Sequence, residues 1–179
     1  VNLTRNPGNP IIDLPEDAVF KTGGGHINVS KDQGTNSYRM YVVRQLASSP
    51  DALPNFELSL LTSSSLTGSW TSQGLAIERG AAGQWDEDQI YRSCPVVNNS
   101  GEIVLFDNKI RMYYGGVGSQ GWRIGIADIT QAGSVIKYTG GGPQPMPAAL
   151  SFQGLMGVRY LDKIHLFYGN SHYEYDPVA

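Results

Sequence analysis

Three consecutive acidic residues, Asp86, Glu87 and Asp88, stand directly before an apolar run of the chain. Like charges in a row are typical of a solvated turn. Carboxylates that precede a buried strand can also line a pocket, where burial and neighbouring charges shift their pKa values and suit them to acid–base chemistry. Both interpretations stay open on the sequence alone, and these three side chains are candidates for catalysis.

Side chains that suit sugar binding flank the acidic run. Trp85 precedes it, and Tyr91 and Arg92 follow it. An aromatic ring offers a sugar an apolar face and a polar edge, and an arginine can pair with a carboxylate of the protein or of a ligand. Packing within a sheet would explain the same residues, so both roles are retained.

Two further candidates for substrate contact lie earlier in the chain. His26 follows three consecutive glycines, and Asn28 lies in the alternating stretch after it. Because this stretch alternates like a strand and has no helical period, a phosphate-binding loop is not expected. A histidine here suits a structural hydrogen bond as well as a sugar contact.

The chain carries no recognisable metal-binding pattern. The spacing of its three histidines, His26, His165 and His172, from acidic residues resembles no zinc or other transition-metal site. The single cysteine, Cys94, lies in an apolar strand and is expected to be a small buried hydrophobe. We therefore predict no cofactor and no metal centre. A structural calcium ion, held by carboxylate and carbonyl oxygens, is the alternative that stays open.

The elements that position these residues are predicted to be β-strands. Between residues 85 and 129, strand-length runs rich in β-branched and aromatic residues alternate with turns of Asn, Asp and Gly. No helical period spans so many turns. The expected strands of this meander are Pro95–Val97, Glu102–Phe106, Ile110–Tyr114 and Trp122–Ile129.

The same strand motif, called the repeated motif below, recurs along the chain. Tyr38–Val43 matches Ile110–Gly115, and Ile164–Gly169 is a looser third copy. Phe56–Leu61 follows the first copy as Trp122–Ala127 follows the second. A repeat of ~50 residues built from antiparallel strands is typical of propeller blades. The sequence therefore predicts an all-β fold of four-stranded antiparallel blades.

We expect a single β-propeller-like domain over residues 1–179, with units at about 20–80, 85–140 and 150–179. Residues 1–19 are expected to be loop with one short edge strand, Pro10–Asp13. Propellers close with four or more blades, so about three units leave sheet edges open. Self-association, or further parts of a larger chain, would cover these edges.

Composition excludes several classes of partner. The net charge is −3 and charged residues make up 16% of the chain, so no electrostatic footprint for nucleic acid or an anionic membrane is present. No apolar run approaches membrane-spanning length. Three Asn-x-Ser/Thr triplets, which begin at Asn2, Asn28 and Asn98, slightly favour a secreted or extracellular protein.

Four segments of the chain match a blade pattern: Trp85–Asp86, Pro95–Val97, Ile110–Gly116 and Arg123–Ala127. In these segments the chain resembles the five-bladed β-propeller glycosidases, which are the arabinanase, xylosidase and invertase-like enzymes. Asn9–Ile12 also looks like the opening of such domains. The resemblance covers about 120 residues and lies mainly in the blade scaffold. It implies a partial propeller and a carbohydrate ligand.

The resemblance also implies catalysis by carboxylates at an axial funnel. Inverting hydrolysis needs one ionised carboxylate to activate water and one protonated carboxylic acid to assist the leaving group. Asp13 would fill the early position after Asn9–Pro10, and Asp86, Glu87 and Asp88 would supply the central unit.

The corresponding positions of the other two units carry no acid. The first unit has His26 and Asn28 there, and the third has Gln153. Three functions therefore remain open: a glycoside hydrolase with paired carboxylates, a non-catalytic module that binds glycan or protein, and a structural subunit of an assembly.

Overall fold

The computed structural model describes residues 27–45, 56–119, 121–138, 144–145, 155–168 and 171–175, and these residues form strands and turns. The part of the chain so described contains no helix of the length and apolarity needed to cross a membrane. In chain order the strands are β1 (Ile27–Asp32), β2 (Tyr38–Gln45), β3 (Phe56–Ser63), β4 (Thr71–Ile77), β5 (Gln89–Val97), β6 (Glu102–Ile103), β7 (Leu105–Phe106), β8 (Lys109–Gly118), β9 (Gly121–Thr130), β10 (Val135–Lys137), β11 (Gln144–Pro145), β12 (Leu155–Tyr160), β13 (Lys163–Tyr168) and β14 (Ser171–Tyr175).

The first unit, blade I, is the four-stranded antiparallel meander β1–β2–β3–β4. The predicted strand segments Tyr38–Val43 and Phe56–Leu61 lie in β2 and β3 and are confirmed. The outer strand of this blade is β4. Its pairing with β3 is irregular at two points, where one strand carries an extra residue.

The second unit, blade II, contains β5, β8, β9 and β10 in antiparallel order. The predicted turn at Asp107 and Asn108 is confirmed. Both residues have positive φ, 48° and 61°, as a two-residue hairpin turn requires. β8 and β9 pair over their whole lengths, from Lys109 opposite Thr130 to Gly118 opposite Gly121.

The single strand expected over Glu102–Phe106 is wrong, because this segment changes its partner midway. Ile103 pairs with Val97 of β5, while Leu105 and Phe106 pair with β8 across the hairpin turn. Val104 lies between the two short strands and donates its backbone N–H to the carbonyl of Val96, at 2.9 Å. The chain therefore crosses from the inner strand of the blade to the next strand within five residues.

The third unit, blade III, contains β12, β13 and β14, joined antiparallel. β12 runs parallel to β5, with Gly157 opposite Val96, and β1 runs parallel to β6. β1, β5 and β12 are thus the inner strands of the three blades. The three copies of the repeated motif lie in β2, β8 and β13, so the motif identifies the second strand of each blade.

The arginine of the repeated motif forms an ion pair in both full copies. In blade I, Arg39 Nε lies 2.7 Å from an oxygen of Asp32 on β1. In blade II, Arg111 Nε lies 3.1 Å from an oxygen of Asp128 on β9, and Tyr138 Oη donates to the same carboxylate at 2.6 Å. The arginines of the repeated motif therefore link neighbouring strands by ion pairs.

The apolar core lies between blades. Side chains of β2, β3 and β4 pack against those of β5, β8 and β9 in the larger cluster. A second cluster joins blades II and III, and contains Cys94, Tyr113 and Ile164. Cys94 is buried as predicted, and burial raises the pKa of its thiol. Successive residues of β8, such as Tyr113 and Tyr114, serve the two clusters alternately because strand side chains alternate between faces.

Several predictions fall outside the described residues. The edge strand Pro10–Asp13, the loop over residues 1–19, and the candidates Asp13, His26 and Gln153 belong to this group. Self-association or a larger chain stays a prediction as well. The side chains that bear on it are Met156, Tyr160 and Phe167 of blade III, which are 51%, 50% and 38% exposed.

Trp85 lies across β8 and β9 on a surface that glycines make flat. A Cβ added at Gly116 would lie 2.6 Å from Cζ3 of Trp85, and one at Gly125 would lie 2.5 Å from its Cζ2. The indole also stacks on Tyr114, with ring centroids 5.5 Å apart and an interplanar angle of 30°. Two glycines of the blade motif are therefore explained by the close approach of one tryptophan.

We predict that Gly125→Ala destabilises the fold by about 1–3 kcal/mol, since the methyl group overpacks the contact with Trp85. The matched control is Gly157→Ala, because a Cβ there meets only ordinary contacts at 3.6–3.7 Å. Chemical denaturation of the two variants measures the difference. Equal stability of the two variants would contradict the packing described for Trp85.

Candidate functional site

The acidic run lies in the connection between β4 and β5, residues 78–88, which crosses from blade I to blade II. Backbone hydrogen bonds fold this connection on itself: Gly80 N donates to Asp86 O at 3.1 Å and Glu87 N donates to Gln84 O at 3.2 Å. Asp88 N donates to the carbonyl of Val117 at the end of β8, at 3.0 Å. The connection is therefore fixed at the N-terminal end of β5.

Asp86 is buried and fully engaged in the structure. Its side chain is among the least exposed polar groups, with 1% of the residue surface accessible. One carboxylate oxygen accepts from Lys137 Nζ at 2.7 Å and from Tyr114 Oη at 3.1 Å. Lys137 Nζ also donates to the carbonyl of Glu78 at 2.6 Å. Asp86 thus joins the β4–β5 connection to β8 and β10.

The environment of Asp86 keeps Tyr114 neutral. Burial raises the pKa of the Tyr114 hydroxyl, and the negative charge of Asp86 raises it further. The phenol therefore stays a hydrogen-bond donor, which is what an ionised carboxylate requires of its partner.

Glu87 and Asp88 are less buried than Asp86. The Glu87 carboxylate accepts from the backbone N–H of Gly83 and is half-buried, while Asp88 is exposed. Arg79 Nη1 lies 3.5 Å from the carbonyl oxygens of both residues, and its Nε lies 3.5 Å from Glu57. Of the three predicted acids, Asp88 is therefore the one whose side chain faces solvent.

Glu57, near the start of β3, is an acid that the sequence reasoning missed. It is 7% exposed, and its Oε2 is buried and has no hydrogen-bond partner among the described residues. The available signal was an acid between two apolar residues, Phe56 and Leu58, of a predicted strand. A buried carboxylate beside Arg79 adds a further charged group to this end of the blades.

Arg92 occupies a strained position in the inner strand. Its φ is 51°, in the left-handed region that a non-glycine residue seldom adopts. The pairing with β8 skips it, because Tyr91 is opposite Gly115 and Ser93 is opposite Tyr114. Arg92 is nevertheless buried, at 3% exposure. Bulges of this kind re-aim a side chain and are frequent next to active sites.

Tyr91 is held in an aromatic cluster directly before this bulge. Its ring contacts Phe56 edge-on at 5.3 Å between centroids and Trp122 edge-on at 5.5 Å. Because Tyr91 is 6% exposed, most of its surface serves packing between β3, β5 and β9.

The remaining predicted contacts are placed differently. Asn28 lies on β1, where its side-chain oxygen accepts from Ser30 Oγ at 2.9 Å. Trp85 stacks on Tyr114, as described above, so its ring serves the packing of blade II. Within the described ranges, no group of three or more potential metal ligands comes together.

A cleft of about 520 Å³ opens beside the β4–β5 connection, between blades I and II. Its lining includes Glu78, Arg79, Gln84 and Lys137. These residues give the cleft a charged wall, and the ion pair of Lys137 with Asp86 closes its inner side. The cleft adjoins the acidic run, because Gln84 belongs to the same connection.

We predict that Asp86→Ala lowers the free energy of unfolding by about 3 kcal/mol, because it leaves a half-buried Lys137 without its counter-ion. A double-mutant cycle with Lys137→Met is expected to give a coupling energy above about 1 kcal/mol. The control is Asp162→Asn: Asp162 is 96% exposed, its pair with Arg159 is 3.6 Å long, and asparagine tolerates its left-handed backbone (φ 62°), so no loss is expected. Additivity in the cycle would show that the pair does not join the elements.

We also predict a loss of stability at alkaline pH. The pKa of Tyr114 is raised in the folded state, so its contribution is complete below the unfolded value near 10 and falls as pH rises above it. Tyr114→Phe should therefore show a shallower decline of the melting temperature above about pH 10 than the parent chain. Tyr160→Phe is the control, since Tyr160 is 50% exposed. An unchanged decline in the Tyr114 variant would contradict the assignment.

Comparison with known proteins gives similarity in structure only. No protein-family profile matches the chain, and no curated protein sequence matches it. A family 117 glycoside hydrolase of the marine bacterium Zobellia galactanivorans superposes with a TM-score of 0.60 and 17% identity. The match covers 83% of this chain and 41% of that chain.

Two other solved structures agree. The fructofuranosidase of Schwanniomyces occidentalis, complexed with fructose, has a TM-score of 0.56 and 16% identity, covering 89% of this chain and 35% of that one. The β-1,2-mannobiose phosphorylase of Listeria innocua has a TM-score of 0.54 and 12% identity, covering 80% and 40%. This chain thus spans less than half the length of each of the three proteins. The all-β, blade-like fold predicted from the sequence is confirmed, and the chain shares its fold with part of each of these three enzymes.

Proposed function

We propose that the chain is a carbohydrate-active propeller module that binds a glycan at the N-terminal end of β5 and hydrolyses a glycosidic bond there. The observation that carries the proposal is the buried, left-handed bulge at Arg92, four residues after the exposed carboxylate of Asp88. Strain of this kind persists where the surroundings enforce it, and it is concentrated at functional sites. The likeness in fold to enzymes that act on fructosides and mannosides supports a sugar as the ligand.

The four predicted carboxylates take different roles in this proposal. Asp88 is exposed and Glu87 is half-buried, so these two, with Asp13, are assigned to the reaction. Asp86 is assigned a positioning role, because Lys137 and Tyr114 already occupy its carboxylate. Hydrolysis requires two carboxyl groups whose environments separate their pKa values, one to activate water and one to donate a proton.

The binding groups follow from the same placement. Arg92 supplies a guanidinium that can donate to sugar hydroxyls or to an acid group of the ligand. Tyr91 directly precedes Arg92 in β5 and packs with Phe56 and Trp122, and aromatic rings of this kind suit a sugar ring. Asn28 would contact the ligand from the start of β1, and His26, which precedes this strand in the sequence, is proposed as a further contact.

A glycan-binding module without catalysis is the second candidate. One observation favours it: in the described residues, the N-terminal halves of the inner strands β1 and β12 carry no acid. Asn28, Met156 and Gly157 occupy these positions. A module that lacks a converging pair of carboxylates would bind a glycan at the same place without cleaving it.

The test is a hydrolysis assay on arabinan, xylan, a fructan and β-1,2-mannobiose, with release of reducing sugar as the readout. Asp88→Asn, Glu87→Gln and Asp13→Asn are each tested, and we expect at least two of them to reduce turnover by roughly 10²–10⁴-fold. Glu102→Gln is the matched control, because Glu102 lies beyond the opposite end of β5 and pairs with Lys31 at 3.0 Å.

Calorimetric titration with the same glycans separates the two candidates. Binding without turnover, retained in the three carboxylate variants and lost in Arg92→Ala, would favour the binding module. Turnover that is unchanged in all three carboxylate variants would contradict the catalytic assignment. Absence of both binding and turnover would contradict the whole proposal.

A further inference from the structure

Two of the three histidines meet on blade III, away from the acidic run. His165 lies on β13 and His172 on β14, and the antiparallel pairing places His165 opposite Glu174 and His172 opposite Phe167. His165 Nδ1 and His172 Nε2 are 2.9 Å apart. The hairpin therefore brings together two imidazole nitrogens that are seven residues apart in the sequence.

The hydrogen bonds around His165 define which nitrogen has a free lone pair. His165 Nε2 lies 3.3 Å from the carbonyl oxygen of Tyr160, and a carbonyl can only accept. The proton of a neutral His165 is then on Nε2, so Nδ1 presents its lone pair toward His172. A remote N–H that donates to a backbone carbonyl is the arrangement that orients histidine ligands in metal sites.

Aromatic contacts hold both rings in place. His172 stacks on Phe167, with centroids 4.7 Å apart and planes 10° apart. His165 stacks on His172 at 5.1 Å and 12°, and Tyr160 lies 6.0 Å from His165. The imidazoles thus lose little further freedom when they bind a ligand, which favours binding.

Charge at the hairpin also favours a cation. Glu174 lies opposite His165 in the pairing of β13 with β14 and two residues after His172. Lys163 Nζ lies 2.7 Å from Glu174 Oε1. Lys163 therefore competes with any cation for this carboxylate.

We propose that His165 and His172 form a binding site for a divalent transition-metal ion of the borderline class, such as Zn²⁺ or Cu²⁺. Two nitrogens bound to one ion at about 2.0–2.1 Å lie roughly 3.0–3.4 Å apart, and the observed separation is 2.9 Å. The His172 proton moves from Nε2 to Nδ1, and the ion accepts the lone pairs of His165 Nδ1 and His172 Nε2 from beside the line that joins these nitrogens. Water completes the coordination, with Glu174 as a neighbouring anion.

The choice of ion follows from the ligands. Imidazole suits Zn²⁺, Cu²⁺ and Ni²⁺, whereas Mg²⁺ and Ca²⁺ prefer oxygen. No third histidine, cysteine or acid completes a metal cluster among the residues that the structure describes. The site is therefore a two-histidine clip on a hairpin, and it is independent of the glycan site proposed above.

The experiment is calorimetric titration of the whole chain with Zn²⁺, together with Cu²⁺ electron paramagnetic resonance to detect nitrogen ligands. We expect saturable binding of one ion, weakened by at least about tenfold in His165→Gln and in His172→Gln. His26→Gln is the matched control and should bind as the parent chain does. Lys163→Gln should bind more tightly, because it releases Glu174, and Mg²⁺ should not bind.

Three results would overturn the proposal: no saturable binding of Zn²⁺ or Cu²⁺, binding unchanged in both hairpin variants, or an equal loss in His26→Gln. The melting temperature of each variant without metal is measured in parallel. His172 is exposed and His165 is half-buried, so the metal-free variants are expected to stay folded. If a histidine variant unfolds, two other measurements test the proposal. Cu²⁺ bound to the parent chain should show nitrogen ligands in its electron paramagnetic resonance spectrum, and Lys163→Gln should tighten metal binding. Absence of both results would overturn the proposal.

Discussion

The close approach of Trp85 to the backbone of β8 and β9 is the constraint on which the proposed glycan site depends. Glycines at positions 116 and 125 admit the indole, and Asp86 follows it into the interior, where Lys137 and Tyr114 bind its carboxylate. These contacts anchor the connection between two blades. The backbone that leads to Asp88 and Arg92 is consequently fixed before any ligand arrives, and such preorganisation is what binding and catalysis at a loop require.

Much of the fold could be predicted because local pattern and tertiary packing agree in a blade. The motif shared by Tyr38–Val43 and Ile110–Gly115 identified the second strand of two blades. The motif is recognisable because the alternating side chains of such a strand pack into the apolar clusters on both of its faces. The strand expected over Glu102–Phe106 failed because period-2 patterning does not tell which neighbour a short segment pairs with. That choice depends on the turn geometry and on Val97, which is distant from the hairpin.

Less of the candidate site could be predicted from the sequence, because its side chains are brought together by contacts between residues far apart in the chain. The acidic run precedes a strand, as its pattern predicts, but nothing local distinguishes Asp86 from its neighbours. Its partner Lys137 is 51 residues away, and only the fold brings the two together. The positive φ of Arg92 has no signature in residue type, and the histidine pair depends on the register of β13 with β14. Each of these features is a product of strand pairing.

Hydrogen exchange followed by mass spectrometry tests the central claim, that the connection between β4 and β5 is anchored by Trp85 and Asp86. The account predicts that the backbone amides of residues 85–93 exchange as slowly as those of β8 and β9 in the parent chain. In Asp86→Ala they should exchange much faster, while the hairpin of blade III keeps its rate. Rapid exchange of residues 85–93 in the parent chain, at the rate of the turn at residues 98–101, would contradict the account.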